Sequence, residues 1–167
     1  MDIKRLIVNT FPNIKMTGAD IINMEDHKFG NCVGCTFCWL KTPGVCSVKD
    51  DWEILFQKIL KADAVIFIAE AKLGFVSYKL KNIIDRLIPI ATPYTALHKG
   101  EMRHKPRYGK SPALGLIYIG DGNKEFLTEW LERVALNFFS ESLGVYNIEE
   151  KEEIPCEFGG FQLFPKA

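Results

Sequence analysis

Apolar residues along the chain occur in two patterns. Short runs rich in Ile, Val and Leu have the length of strands, and one of them, AVIFIA, is apolar throughout, which is typical of a parallel strand buried on both faces. Other apolar residues repeat at helical spacing. Strands are predicted over residues 3–9, 20–24, 64–69, 114–119 and 144–148. Helices are predicted from 51 to about 61, from 77 to near Pro89 and over 127–138.

The alternation of these segments predicts an α/β fold, an open and mostly parallel sheet with helices on both faces. The first crossover helix is predicted to be missing, because only residues 10–19 separate the first two strands. Residues 91–111 contain Pro and Gly without a sustained period and are predicted to form a long loop. The chain is predicted to be one domain, with a core over 1–148 and an aromatic tail over 149–167 that covers a partner surface such as a subunit interface.

The composition is that of a compact globular protein without overall charge. Apolar residues make up 47% of the 167 residues, and 21 basic side chains balance 21 acidic ones. This balance gives no general attraction to nucleic acid or to an anionic membrane. The N-terminus lacks the apolar segment of a secretory signal, and no apolar run is long enough to span a bilayer. We therefore expect a cytoplasmic protein that binds neither nucleic acid nor membrane.

Four of the five cysteines lie within residues 30–51, at the spacing C-x2-C-x2-C-x7-C. They are Cys32, Cys35, Cys38 and Cys46, and the turn Thr42-Pro43-Gly44 precedes the last of them. Three cysteines at three-residue steps with a more distant fourth are typical ligands of a [4Fe-4S] cluster. A tetrahedral zinc site and a set of ordinary reduced thiols are the alternatives. The fifth cysteine, Cys156, has no partner at motif spacing and is interpreted as a tail thiol.

The cysteine segment, the Asp50-Asp51 pair after it and the run AKLGFVSYKLKNIIDR resemble the iron-sulfur flavoprotein branch of the flavodoxin-like NAD(P)H-dependent FMN reductases. The resemblance covers residues 20–123, and its most specific parts are 32–51 and 74–86. It implies a flavodoxin-like fold, FMN as the cofactor, NAD(P)H as the electron donor, and a homodimer or homotetramer.

The resemblance also implies where FMN binds. The expected contacts follow the third and fourth strands and are Lys72, Leu73, Gly74, Phe75, Val76, Ser77, Gly120, Gly122 and Asn123. Ligands of open α/β sheets bind beyond the carboxyl ends of the strands, so the cysteine segment, residues 70–76 and residues 120–123 are expected to open on one edge. Two segments depart from the family: residues 10–13 (TFPN) replace the Ser/Thr/Gly-rich phosphate loop, and residues 70–72 (EAK) replace Pro-Val-Tyr. No catalytic residue is identified.

The segment 94–110 carries five Lys or Arg and one acidic residue. One interpretation is an anion site in which Arg103, Lys105 or Arg107 receives a flavin or nicotinamide phosphate. The more ordinary interpretation is an exposed basic loop or a subunit contact.

Two functions stay open at this point. The first is a flavin-dependent oxidoreductase that passes electrons from NAD(P)H through FMN, and through a [4Fe-4S] cluster, to a small-molecule or protein acceptor. The second is a degenerate flavodoxin-like protein without flavin, which carries a metal or a cluster or acts as a structural partner. The missing phosphate loop is the feature that separates them, because a helix N-terminus normally holds such a phosphate.

Overall fold

The computed structural model of the chain describes residues 4–12, 14–15, 20–150, 152–155, 158 and 164–165. Its strands and helices, in chain order, are β1 (Arg5–Asn9), β2 (Ile14–Lys15), β3 (Ile21–Asn23), α1 (Phe37–Leu40), α2 (Trp52–Lys61), β4 (Ala64–Val76), α3 (Tyr78–Arg86), β5 (Ala91–His98), β6 (Glu101–Pro106), β7 (Ala113–Gly122), α4 (Lys124–Asn137), β8 (Ser142–Asn147) and β9 (Phe164–Pro165). Short 3-10 turns span Met24–Asp26 and Ile88–Ile90. None of the helices in these ranges has the length and apolar composition needed to cross a membrane.

Five parallel strands form the main sheet in the order β3-β1-β4-β7-β8. Counted along the chain, this is the order 2-1-3-4-5 of flavodoxin-like proteins. Strand β4 lies at the centre, where Ile66 pairs with Ile7 on one side and with Gly115 on the other. The predicted flavodoxin-like α/β fold is therefore confirmed.

The three predicted helices are also confirmed as α2, α3 and α4, because their apolar residues do form one buried side of each helix. The strand boundaries are less accurate. The prediction that residues 70–76 form a loop is wrong, since β4 continues to Val76 and pairs with an equally extended β7. The ladder is irregular between Ala71 and Gly74, where Leu73 and Gly74 have positive φ.

The predicted long loop over residues 91–111 is likewise wrong. Strands β5 and β6 form an antiparallel hairpin in this region. Lys99 and Gly100 connect them, and both have positive φ (47° and 81°), as two-residue hairpin turns of type I′ require. The hairpin places Leu97 opposite Met102, and both side chains are exposed.

All described helices of nine or more residues pack on one face of the sheet. Buried residues of α2, α3 and α4 share a cluster with alternate strand residues such as Val65, Phe67 and Leu116. The handedness rule explains this arrangement, because the connections β3-β4, β4-β7 and β7-β8 all move in one direction across the sheet. Helices on the second face, which the sequence predicts, are not found in the described part of the chain.

The second face is apolar and is covered by a residue of the tail. Ile7, Ile66, Ile68 and Ile117 form its centre, and Phe158 packs against them with only 5% of its surface exposed. Gly115 leaves room for this ring, since a Cβ there would lie 3.2 Å from Phe158 and 2.9 Å from Ile66. The tail was expected to cover a subunit interface, but Phe158 covers the sheet of its own chain.

The eleven residues between β1 and β3 contain no helix where the structure describes them. Strand β2 lies in this connection and pairs antiparallel with β9 of the tail. The rest of the connection, residue 13 and residues 16–19, is outside the described residues, as is Cys156. The connection between β1 and β3 is thus paired with the C-terminal tail through backbone hydrogen bonds.

We predict that Phe158→Ala lowers the free energy of unfolding by about 3 kcal/mol, because it removes a large ring from a buried apolar face. Tyr94→Ala is the matched control, since Tyr94 is 72% exposed and its loss should cost less than about 0.5 kcal/mol. Urea unfolding of the two variants measures both values. Equal stability of Phe158→Ala and the unmodified protein would contradict a core role for the tail.

Candidate functional site

The cysteine segment is held by a buried arginine of α3. Arg86, whose side chain is 1% exposed, forms a two-point ion pair with Asp50 at distances of 2.6 and 3.0 Å. Its Nη1 also donates to the carbonyl oxygen of Gly30 (2.8 Å), and its Nη2 lies 3.4 Å from the sulfur of Cys46. The guanidinium further lies 4.8 Å from the Trp52 ring, at cation–π distance. One side chain therefore contacts the entry, the exit and a sulfur of the cysteine segment.

Asn82 holds the same segment one helical turn earlier. Its Oδ1 accepts from the backbone N–H of Cys32 (3.1 Å), and its Nδ2 donates to the carbonyl oxygen of Gly30 (3.1 Å). Residues four apart lie on the same side of a helix, so Asn82 and Arg86 form one polar edge of α3. This edge is the surface on which the segment rests.

Asp50 and Asp51, at the end of the cysteine segment, are hydrogen-bonded to the residues at its beginning. Asp50 accepts from the backbone N–H of Gly30 (2.6 Å) and of Trp52 (3.1 Å), and Asp51 accepts from the N–H of Lys28 (2.8 Å). Burial raises the pKa of Asp50, but the hydrogen bonds from Arg86, Gly30 and Trp52 outweigh burial and hold this pKa below its usual value. Asp50 is therefore an anion that both starts α2 and pairs with Arg86.

All four cysteines of the motif line one pocket. Its wall is completed by Asp85, Arg86, Ile88 and Pro89 from the end of α3 and the turn after it. The predicted turn before Cys46 is confirmed, because Gly44 has φ +85° and donates its N–H to the carbonyl oxygen of Cys38 (2.9 Å). The fold thus brings the sulfurs to one place, as the spacing predicts.

The thiols of this pocket influence one another. Burial, followed by the nearby Cys46, Cys35 and Cys32, raises the pKa of Cys38. The pKa of Cys35 is lowered, first by its hydrogen bond with the Ser47 hydroxyl (3.2 Å between the two atoms) and then by the N–H of Phe37. The effect of three other thiols on Cys38 means that all four lie within electrostatic range.

A cluster and a single zinc ion place different demands on the four cysteines. Tetrahedral zinc needs all its sulfurs about 2.3 Å from one point, whereas a four-iron cluster gives each cysteine its own iron and keeps the sulfurs further apart. Among the described residues, no three His, Cys, Asp or Glu side chains are close enough to hold a metal ion as they stand. Both kinds of site need the four cysteines around one pocket, which the fold provides, with Arg86 beside Cys46.

The pocket does not lie where the sequence predicts. It was expected beside the carboxyl ends of the strands, but its walls come from Asp85 to Pro89, at the far end of α3. Arg86 is nine residues beyond Ser77, which corresponds to roughly 13 Å along the helix. Because Asn82 and Arg86 hydrogen-bond to the cysteine segment, the segment lies along α3 and away from the carboxyl edge of the sheet.

The nine predicted flavin contacts do lie together at the carboxyl edge. The distal part of β4 pairs with the end of β7, with Ala71 opposite Gly120 and Gly74 opposite Gly122. The N–H of Asn123 donates to the carbonyl oxygen of Gly74 (3.2 Å), and that of Ser77 to Glu70 (2.8 Å). The predicted contacts thus form a two-stranded ribbon rather than two separate loops. Leu73, at its tip, is 89% exposed.

The end of β1 does not supply a phosphate site in the residues that are described. The N–H of Thr10 donates to the carbonyl oxygen of Ile68 (2.8 Å), and the N–H of Phe11 donates to Oδ1 of Asn9 (3.1 Å). The Thr10 hydroxyl donates to the same Ile68 carbonyl (3.0 Å). These N–H groups and the hydroxyl serve the protein itself, so residues 9–12 do not fit the phosphate of FMN.

The hairpin of β5 and β6 contains the basic residues of segment 94–110, and only some of them are available to an anion. Arg107 donates to the carbonyl oxygens of Pro89 (3.0 Å) and Ala91 (3.2 Å), and Arg103 is ion-paired with Glu101. Lys105 is exposed. Arg107 is therefore engaged with backbone carbonyls and Arg103 with Glu101, which leaves Lys105 as the exposed residue of the three candidates.

Sequence reasoning missed Asn82 and underestimated Asp50. Asn82 lies in an otherwise charged or apolar helix, and nothing in the helical pattern distinguishes it from a surface residue. Asp50 lies just before the predicted helix, but its pairing with Arg86 depends on a contact across 36 residues. The signal that could have found the pair is the cationic Arg86 at a position that the apolar repeat of α3 places near the buried side.

Comparison with known proteins finds similarity to curated iron-sulfur flavoproteins and to a solved structure. No family model matches the chain. An iron-sulfur flavoprotein of Methanocaldococcus jannaschii is 30% identical over 81 residues, 48% of this chain and 41% of the relative. One of Archaeoglobus fulgidus is 40% identical over 68 residues, 41% of this chain and 32% of the relative. A second Methanocaldococcus jannaschii iron-sulfur flavoprotein is 30% identical over 112 residues, 66% of this chain and 51% of the relative.

The crystal structure of RosB with the bound intermediate 8-demethyl-8-formylriboflavin-5′-phosphate has the same fold, with a TM-score of 0.51 at 15% identity, over 94% of this chain and 73% of RosB. These findings define an open α/β protein of the flavodoxin-like class. Within that class, the chain is related to the iron-sulfur flavoproteins, and the resemblance seen in the sequence is confirmed. The chain spans about half or less of the length of these curated relatives.

We predict that Arg86→Met lowers the free energy of unfolding by about 3 kcal/mol, because it leaves the largely buried Asp50 carboxylate without its partner. Lys81→Met is the control on the same helix. Lys81 is paired with Asp85 at an exposed i,i+4 position, so its replacement should cost about 0.5 kcal/mol or less. Urea unfolding followed by circular dichroism compares the two, and equal losses would argue against the clamp.

Proposed function

We propose that this chain is a flavin-dependent oxidoreductase that carries a [4Fe-4S] cluster on Cys32, Cys35, Cys38 and Cys46. Electrons enter from NAD(P)H through FMN and leave to a small-molecule or protein acceptor. The observation that carries the proposal is the shared pocket of the four cysteines, clamped by Arg86. The names of the sequence relatives support the cluster and the flavin together.

The residues around the pocket suit a redox centre. A bound cluster would supply one-electron transfer, and its potential would depend on nearby charge and on hydrogen bonds to sulfur. Arg86 offers both a charge and a hydrogen-bond donor, because its Nη2 lies 3.4 Å from the Cys46 sulfur. Trp39 donates its indole N–H to the carbonyl oxygen of Ile88 (3.0 Å) and thereby fastens the short helix α1 that carries Cys38. Arg86, from outside the motif, thus contacts Cys46, and Trp39, from within it, fixes the helix that carries Cys38.

The flavin part of the proposal depends on the ribbon of β4 and β7. Its exposed apolar tip at Leu73 and its glycines provide a surface that an isoalloxazine ring could contact at the carboxyl edge, where the fold class binds ligands. The engaged groups at the end of β1 favour the second candidate, a flavodoxin-like protein that carries a cluster and has no flavin. A homodimer or homotetramer remains part of the proposal for either function.

We predict that anaerobically reconstituted protein contains about four irons and four sulfides per chain. Replacing any one of Cys32, Cys35, Cys38 or Cys46 with Ser should remove the brown chromophore or lower the iron content by at least half, because each thiolate holds one iron. Iron and sulfide assays with an absorption spectrum measure this.

Cys156→Ser is the matched control for these four variants, since Cys156 lies outside the motif. It should keep the iron of the unmodified protein. Unchanged iron after Cys46→Ser, or one zinc per chain in place of iron, would contradict the cluster.

We predict that FMN binds at micromolar concentration and that Leu73→Glu weakens this binding at least tenfold, because a charge at the ribbon tip would oppose both the apolar ring and the phosphate. Leu97→Glu changes another exposed leucine, on the hairpin, and should leave the affinity unchanged. Quenching of flavin fluorescence measures all three proteins. No binding at several hundred micromolar, with iron present, would select the flavin-free candidate.

A further inference from the structure

The turn between the third and fourth cysteines of the motif folds back onto the third. Gly44 donates its N–H to the carbonyl oxygen of Cys38 (2.9 Å). Val45 donates its N–H to the carbonyl oxygen of Thr42 (2.8 Å), and its own carbonyl oxygen accepts from the Thr42 hydroxyl (2.9 Å). Because Cys46 directly follows Val45, the conformation of this turn sets the separation of the last two cysteines.

Gly44 is the point at which this turn is covered by the rest of the protein. It is the one buried residue between Gly30 and Asp50, a stretch that the structure describes throughout. Its φ of +85° is a backbone conformation that favours glycine, and a Cβ there would lie 2.8 Å from the Tyr108 hydroxyl oxygen and 3.3 Å from Cδ of Arg107. The side chains of residues 107 and 108, just after β6, therefore pack directly on the turn.

Arg107 also joins the cysteine segment to the turn that follows α3. Its backbone N–H donates to the carbonyl oxygen of Ile90 (2.7 Å). Its Nε donates to the carbonyl oxygen of Pro89 (3.0 Å), and its Nη2 donates to that of Ala91 (3.2 Å). The same Nη2 donates to the carbonyl oxygen of Cys38 (3.5 Å). One guanidinium thus connects helix α1, which carries Cys38, to backbone outside the cysteine segment.

The two arginines contact different parts of the cysteine segment. Arg86 bonds to Gly30 and Asp50 at its two ends and contacts the sulfur of Cys46. Arg107 bonds to the third cysteine, in the middle of the segment. Residues that fix the position of a metal ligand from outside raise the affinity of the site for its metal. Arg107 has this relation to Cys38.

We propose that Arg107 is a positioning residue of the metal centre. It holds Cys38 at the distance from Cys46 that ligation by all four thiolates requires, and Gly44 allows the arginine to approach the turn. This role rests on the proposed function, because it needs a cluster on the four cysteines. It gives Arg107 a task other than the phosphate contact that the sequence suggested.

The test is the loss of iron from anaerobically reconstituted protein in the presence of excess EDTA. Arg107→Met should lose its iron about tenfold faster than the unmodified protein, in line with the weakening expected when a contact that supports a metal ligand is removed. Gly44→Ala should have a similar effect, because its Cβ would displace the side chain of Arg107. Lys105→Met, at an exposed position of β6, should keep the rate of the unmodified protein.

Phe158→Ala separates positioning from a general loss of stability. Phe158 packs on the second face of the sheet, among residues that do not belong to the cysteine segment. Its replacement should destabilise the fold and still leave the rate of iron loss unchanged. An equally fast loss in Phe158→Ala and Arg107→Met, or the rate of the unmodified protein in folded Arg107→Met, would overturn the proposal.

A measurement on the unmodified protein covers the case in which the variants do not fold. Uptake of iron should slow hydrogen exchange at the N–H of Arg107 at least about fivefold, because a fixed Cys38 restrains the arginine that bonds to it. Exchange at Gly100, in the hairpin turn, should not change. Equal exchange at Arg107 with and without iron contradicts the role of Arg107 alone, whereas a protein that takes up no iron contradicts the proposed function and this role together.

Discussion

The ion pair between Arg86 and Asp50 is the interaction on which the candidate site depends. A buried guanidinium loses its hydration, and this loss is offset only when the partner geometry is good. Here two bonds to Asp50, one to the Gly30 carbonyl and the Trp52 ring provide that geometry. Gly30 and Asp50 are the two ends of the segment that contains all four motif cysteines, so the pair sets where the segment begins and ends. The cysteines contribute chemistry, but a contact outside the motif gives them a common position.

Hydrogen-bond competition decides what the carboxyl edge of the sheet can offer a ligand. The backbone of β4 beyond the end of β1 pairs with β7, and Thr10 is bonded to Ile68 through both its N–H and its hydroxyl. A group that is already paired inside the protein gains little by exchanging that partner for a phosphate. Any phosphate held at this edge must therefore be held by groups other than those at the end of β1. This edge departs from the usual flavodoxin-like arrangement, whereas the cysteine segment keeps the motif on which the resemblance to the iron-sulfur flavoproteins rests.

Periodicity in the sequence was enough to predict the parts of the fold that depend on burial. Helices α2 and α3 match their predictions within a few residues because Leu55, Phe56, Leu80 and Ile83 are buried at helical spacing. The hairpin was missed because it is mostly exposed, so burial leaves little pattern in it, and its only strong signal was Lys99-Gly100. The convergence of the four cysteines followed from spacing. Their place at the far end of α3 did not, because it depends on hydrogen bonds from Asn82 and Arg86 to residues far away in the sequence, which periodicity does not predict.

The short first connection leaves the second face of the sheet without a helix, and the aromatic tail contributes to covering that face. A right-handed connection from β1 to β3 runs in the direction opposite to the later ones, so its helix would cover the second face of the sheet. Eleven residues are too few for that helix, and Ile66, Ile68 and Ile117 would then face water. Phe158 packs on them instead, Gly115 makes room for its ring, and β9 pairs with β2 of the shortened connection. The tail thus compensates for a missing helix, which explains how this sheet keeps a buried centre although its first crossover is so short.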